Sequence, residues 1–198
     1  GRRPPSLLLF FAHKTIYPEF LDEALFLSKV FKSILYFLLV MSFKETQQIL
    51  DVLQQGSVAL VPFDVGYALL GSTQDAVDKI FALKQRSKEK PCVTLGTVDI
   101  FRELTRSEYS RLVSDFTYPV GLVEHIDHHS PFYASMPSGV HADKRIAIFL
   151  NMGGLANSLA LAAFISGSFI YGSSANISGA GNRYNLADVE ESIRKGVD

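Results

Sequence analysis

From Ile146 to Asn182 the chain carries no charged side chain. A stretch that long without Asp, Glu, Lys or Arg has to be buried, either in a bilayer or in a protein interior. A bilayer does not suit it, because Asn151, Gly153, Gly154, Asn157, Gly167 and Gly172 interrupt the apolar residues. The run therefore reads as the middle of a buried sheet with its covering helix. A strand is predicted over Arg145 to Leu150, a helix over Leu155 to Ile165, and a strand over Phe169 to Gly172.

Elements of the same kind precede it. Glu45 to Gln55 reads as an amphipathic helix stopped by Gly56. Ser57 to Pro62 and Tyr67 to Leu70 read as short strands, and Cys92 to Leu95 as a third. Between them lies a helix after Gly71-Ser72-Thr73, with Ser72 and Asp75 in capping-box positions and Ala76, Ile80 and Leu83 along one face. Short helices are expected at Ile100 to Leu104 and Ser107 to Asp115, a strand at Gly121 to Ile126, and a final helix at Leu186 to Lys195. Strands alternating with helices over short loops predict an α/β (α+β) layer fold around one sheet.

The first 43 residues differ: 25 of them are apolar or aromatic, and they hold nine of the 23 aromatic residues. Leu27, Val30, Phe31, Ile34, Leu38 and Met41 recur at helical spacing opposite Ser28, Lys29, Lys32 and Ser33. This predicts an amphipathic helix packed on the domain or a partner, or lying on a membrane surface. Met41 as an alternative start is a third reading. The Leu7 to Ala12 run is too short for a secretory core, and no segment is long and lysine-free enough to span a bilayer. Two units are thus expected: an extension over 1–43 and a domain over 44–198. Net charge is −1, with 19 basic and 20 acidic residues; this excludes a supercharged nucleic-acid arm but not a local basic patch. Cys92 is the single cysteine, which excludes an intrachain disulfide and a multi-cysteine zinc site and fits a reducing, cytoplasmic setting.

Three segments bear chemistry. Ser173-Ser174-Ala175-Asn176-Ile177-Ser178-Gly179 follows an apolar strand and leads into Gly-Ala-Gly-Asn. Small hydroxyl and amide residues at a strand end suit anion binding by converging N–H groups, though they also build turns and caps. Lys84, Arg86, Lys88 and Lys90 fall within seven residues after a helix, just before Pro91. They fit either dipole-complementing cations at a helix end or a phosphate clamp. Pro62-Phe63-Asp64-Val65-Gly66-Tyr67 makes a kinked link between two strands. Glu124-His125-Ile126-Asp127-His128-His129 has metal-ligand types, but neighbouring histidines on a strand point to opposite faces, so no metal site is expected. Arg102, Arg106 and Arg111 lie along one helical stretch, as a solvated face or an RNA-facing surface.

Taken together, the three segments resemble the YrdC-like, threonylcarbamoyl-AMP synthase family. Its members carry Pro-Thr-Asp-Thr-x-Tyr-Gly, then a helix, then Lys-x-Arg with a downstream Lys/Asn-Pro, and later Ser-Ala-Asn-x-Ser-Gly. The same order stands here in Pro62 to Ala68, in Lys84, Arg86 and Lys90-Pro91, and in Ser174 to Gly179. The resemblance covers residues 44 to 198. It implies an open, twisted, mixed parallel and antiparallel sheet with flanking helices, enclosing a concave, positively lined groove. It also implies use of ATP with Mg²⁺, bicarbonate and L-threonine to make threonylcarbamoyl-AMP and pyrophosphate, for transfer to a tRNA adenosine. Lys84 and Arg86 match the family's catalytic cations. Asp64, Tyr67, Lys90, Ser174, Asn176 and Ser178 match positions that hold substrate or nucleotide.

The sequence also departs from the pattern. Phe63 and Val65 stand where the family has threonines, and Ala68 where it has glycine. The family's Pro-Gly-x-x-Thr segment reduces to Pro119-Val120-Gly121-Leu122-Val123, and its strand arginine has no counterpart in Ile146 to Asn151. A closing Ser-Thr strand would be expected beyond Asp198. Two other functions fit the same resemblance: a non-catalytic RNA- or nucleotide-binding module, with double-stranded RNA or tRNA as partner, and a relative with another acceptor substrate. A carbamoyl-transfer domain like those of hydrogenase-maturation proteins would need neighbouring domains.

Overall fold

Among the described residues, seven strands form one sheet. Two come from a hairpin, β1 (Ala59–Phe63) and β2 (Gly66–Gly71). The others are β3 (Val93–Leu95), β4 (Val120–His125), β5 (His141–Ala142), β6 (Arg145–Leu150) and β7 (Tyr171–Ser174). The order is β1-β2-β7-β3-β6-β4, with β5 also paired to β6. Strands β3 and β6 run parallel and the remaining pairs antiparallel. This is the open mixed sheet with flanking helices that the resemblance implies. The structure is a computed structural model that describes residues 44–198 except 88, 106, 110–112 and 114. The amphipathic helix expected within 1–43, Lys88, Arg106, and residues 110–112 (Arg111 among them) and 114 of the helix expected over 107–115 lie outside the described residues. No described helix is long and apolar enough to cross a membrane.

The helices are α1 (44–54), α2 (Gln74–Leu83), α3 (Val98–Thr105), α4 (Gly154–Ile165) and α5 (Glu191–Gly196). Helix α2 packs on β2 and β7, α4 on β3, and α5 against α2. Strand β6 shows the consequence: Ile146, Ile148 and Leu150 are buried, while Ala147 and Phe149 on the opposite face are only partly covered. Among the described residues, the alternation along β6 thus separates a buried face from one that is only partly covered.

Local corrections have simple causes. Helix α2 is capped by Thr73, whose hydroxyl accepts from the Ala76 amide at 3.3 Å; Ser72 instead donates to the Leu53 carbonyl at 2.7 Å, tying α2 to α1. The buried face of α2 is Ala76, Val77, Ile80 and Phe81, because its contact spans a stripe wider than one i, i+4 row. The single helix expected over Leu186 to Lys195 divides into a 3₁₀ turn, Leu186–Asp188, and α5. Val189 between them is extended and 1% exposed, so its burial in the core takes precedence over helical continuity. The final strand runs over Tyr171–Ser174 rather than Phe169 to Gly172. Asp198 returns to β1: its amide donates to the Val58 carbonyl at 3.1 Å and its carboxylate accepts from the Val58 amide at 2.9 Å.

Candidate functional site

A groove runs along one face of the sheet, and strand register decides what lines it. Ala68 lies opposite Ser174 and Leu70 opposite Gly172. Gly172 also pairs with Val93, Leu95 with Phe149, and Phe149 with Gly121. These side chains share one face because alternate residues of a strand do. They floor a groove of about 270 Å³, walled at one end by Phe63, Val65, Tyr67 and Asn182 and at the other by Pro119, Val120 and Met152. Two glycines create the hollow. A Cβ on Gly121 would lie 2.5 Å from the Phe149 ring, and one on Gly172 would lie 2.8 Å from the Leu69 carbonyl oxygen. None of the described lining residues is charged. The groove is therefore apolar where the resemblance implies a positive lining, because the cations are turned the other way.

Those cations lie behind the loop that follows β7. Lys84, at the C-terminal cap of α2, is 2% exposed. Its ammonium donates to the Ser174 carbonyl, to the Asn176 carbonyl at 2.6 Å and to Asn176 Oδ1 at 3.4 Å. Three protons thus meet three acceptors. Burial, then the neighbouring Arg86 guanidinium, pushes its pKa down to about 8. Arg86 Nη1 donates to Ser173 Oγ at 2.6 Å and Nη2 to the Pro91 carbonyl at 2.9 Å; its buried Nε has no partner among the described residues. Ser173 and Ser174 belong to one strand and so face opposite ways, Ser173 toward Arg86 and Ser174 toward the groove. The Ser178 amide closes the loop onto the Lys84 carbonyl at 3.2 Å. In sequence terms, Lys-x-Arg after a helix and Ser-Ala-Asn after a strand form one clamped unit.

The remaining candidates separate into lining and supporting residues. Tyr67 lines the groove; its amide donates to the Arg183 carbonyl at 2.7 Å and its carbonyl accepts from Ala175 at 2.8 Å. Asn176 is 4% exposed, and its Nδ2 donates to the Ile177 carbonyl at 2.6 Å, so it shapes the loop from within. Ser178 and Lys90 are exposed and do not line the groove. Asp64 sits in the β1–β2 turn outside the lining. Its carboxylate abuts Gly153, the N-cap of α4, where a Cβ would lie 2.7 Å from Asp64 Cγ and the φ of +112° already favours glycine.

Of the polar lining residues, Ser173 and Asn182 are not among the positions matched to the family's substrate or nucleotide contacts. Asn182 lines the groove and its Nδ2 donates to the Val65 carbonyl at 3.3 Å; the signal was the Gly-Ala-Gly-Asn run after the Ser-Ala-Asn motif. Phe149 and Met152 were legible only as core, since nothing in an apolar run marks which face is left uncovered. The loop bearing Asn182 is anchored by Arg183, which pairs with Glu190 at 2.5 Å; that hydrogen bond holds the Glu190 carboxyl below its usual range.

Other chemistry is sparse. Among the described residues no group of three or more His, Cys, Asp or Glu could hold a metal ion. His128 instead packs edge-on against Tyr133, with centroids 5.0 Å apart. Cys92 is buried, and burial pushes its thiol up to about 11. Arg102 is exposed and pairs with Asp99 on its own helix at 3.3 Å.

The sequence model of the Sua5/YciO/YrdC family, described as "Telomere recombination", matches residues 51–198. No curated protein matches the sequence. Among solved structures, the hypothetical protein smu.1377c from Streptococcus mutans superposes with a TM-score of 0.66 at 20% identity, over 77% of this chain and 63% of that one. Sua5 of P. abyssi complexed with L-threonine gives 0.62 at 19% identity, over 79% of this chain and 46% of that one. E. coli YciO gives 0.62 at 17% identity, over 79% and 76%. At these identities the likeness is one of fold. The chain spans less than two thirds of the Streptococcus mutans protein and less than half of Sua5.

Proposed function

Because this chain belongs to the Sua5/YciO/YrdC family, we propose that its groove makes an amino-acid carbamoyl adenylate from ATP, bicarbonate and an amino acid. In this reaction the amine adds to bicarbonate with loss of water to give a carbamate. A carbamate oxygen then attacks the α-phosphorus, and pyrophosphate leaves. L-Threonine is the acceptor the resemblance implies. The single observation carrying this reading is that the groove opens onto Ser174, at the end of β7, where Arg86 bonds the strand and Lys84 bonds the loop that follows.

The chemistry asks for orientation and charge stabilisation rather than a covalent nucleophile. Ser174, Tyr67 and Asn182 supply polar groups at one end of the groove. Apolar walls exclude water, which would otherwise hydrolyse the mixed anhydride. Lys84 acts here as a positioning residue, setting the Ser174–Asn176 backbone. For Lys84 and Arg86 to clamp phosphate directly, they would have to exchange their present protein acceptors for phosphate oxygens. The described residues do not fit a protein-held Mg²⁺, since the lining has no carboxylate; the ion would arrive on the triphosphate with its own waters.

The test is capture of labelled bicarbonate with ATP, Mg²⁺ and each common amino acid, alongside pyrophosphate release. ATP-dependent label with matching pyrophosphate supports the reading, and neither product with any amino acid overturns it. A second reading, nucleotide binding without turnover, is favoured by one observation: every proton of the Lys84 ammonium already has a protein acceptor. It predicts saturable ATP binding with no pyrophosphate.

A further inference from the structure

We propose that this groove selects an amino acid with an uncharged, apolar side chain, of the leucine or methionine kind, over L-threonine. The inference rests on the carbamoyl-adenylate reading and deepens it.

The polar residues of the lining are Tyr67, Ser173, Ser174 and Asn182, with the Ser173 side chain turned toward Arg86. All four come from β2, β7 or the loop after β7. Two of them are partly committed: Ser173 Oγ accepts from Arg86 at 2.6 Å, and Asn182 Nδ2 donates to the Val65 carbonyl at 3.3 Å. The rest of the lining is hydrocarbon. Phe63 and Val65 flank the hairpin end, Leu95 and Phe149 lie in the floor, and Val120 and Met152 close the opposite end. Neither Phe63 nor Val65 can donate or accept a side-chain hydrogen bond.

An amino acid whose carboxylate and carbamate lie near Ser174 extends its side chain along this hydrocarbon. A threonine hydroxyl placed there loses water and finds no side-chain partner, which is unfavourable. A leucine or methionine side chain gives up no hydrogen bond to water and buries apolar surface. Each methylene fitted into a hydrophobic pocket is worth about 10- to 200-fold in discrimination. The groove volume of about 270 Å³ accommodates such a side chain. Gly121 matters for this, since a Cβ there would displace the Phe149 ring that forms the floor.

The experiment is calorimetric titration of the full chain with N-carbamoyl-L-leucine, N-carbamoyl-L-methionine and N-carbamoyl-L-threonine, each with AMP present. At least one apolar ligand is expected to bind at least tenfold tighter than the threonine ligand. A Phe63→Thr/Val65→Thr variant, shown to be folded by circular dichroism, is expected to reduce that ratio at least fivefold. Equal or tighter binding of the threonine ligand overturns the proposal, as does absence of saturable binding by all three. The bicarbonate assay separates the two levels. Label captured best with threonine leaves the reaction standing and removes the apolar preference. A strong apolar preference in binding with no label from any amino acid removes the reaction and leaves the groove's selectivity.

Discussion

Replacing Lys84 by methionine keeps the side chain out to Cε and removes its charge and donors. Two close acceptors, the Ser174 and Asn176 carbonyls, lose their partner, and Asn176 Oδ1 loses a longer contact at 3.4 Å. A hydrogen bond from a charged donor contributes about 1.5–3 kcal/mol net, so the two close bonds together are worth about 3–6 kcal/mol. Part of this returns, because methionine avoids the cost of burying an ammonium group. The expected net loss is about 2–4 kcal/mol. In a domain of this size that lowers Tm by roughly 5–15 °C. Calorimetry and urea unfolding measure the global loss, and amide hydrogen exchange measures the local one at Ala175, Asn176 and Ser178. Faster exchange at those amides is expected even under conditions where the rest of the sheet is unaffected. A variant within about 2 °C of the parent, with unchanged exchange in the loop, would refute the idea that Lys84 holds the Ser-Ala-Asn segment.

The same lysine gives a pH signature. Its folded pKa of about 8 lies below its ordinary value of 10.5, so between these values the unfolded chain binds the extra proton, and Lys84 adds stability as pH rises from about 8 to 10.5. The Tm difference between parent and Lys84→Met is expected to widen over that range, and a constant difference contradicts it. Gly172→Ala places a methyl 2.7 Å from Leu70 Cδ2 and 2.8 Å from the Leu69 carbonyl oxygen; overpacking against backbone in mid-sheet is expected to destabilise by about 1–3 kcal/mol in urea titrations. Gly153→Ala meets both the Asp64 carboxylate at 2.7 Å and a φ of +112°; adding Asp64→Ala should recover only part of the loss, since the backbone strain persists. Cys92 is buried with its thiol pushed up to about 11, so thiol reagents at pH 8 are expected to label it at the unfolding rate rather than at the rate of a free thiol.

What the sequence made legible follows from how local each signal is. The bounds of β6 could be read because Arg145 and Asn151 bracket five apolar residues. The helix stop at Gly56 and the burial of Cys92 rest on equally local features. The kinship of Lys84, Arg86 and the Ser-Ala-Asn segment was visible as motif order, but not the direction in which the cations point. That direction depends on the C-terminal cap of α2 lying beneath the end of β7, a long-range arrangement. The apolar groove was hidden for the same reason. Leu95, Phe149 and Met152 look identical to core residues until strand register places them along the groove. Val189 breaks the final helix for the sake of burial, which no propensity records.

The central claim is that the groove and the loop clamped by Lys84 form a single ligand site. Methyl and amide NMR titration of the full chain with ATP and an amino acid tests it most directly. Shifts concentrated at Tyr67, Leu95, Met152, Ser174 and Asn182, saturating together, are the predicted result. Saturating shifts confined to other surfaces, with these five signals unmoved, would contradict it.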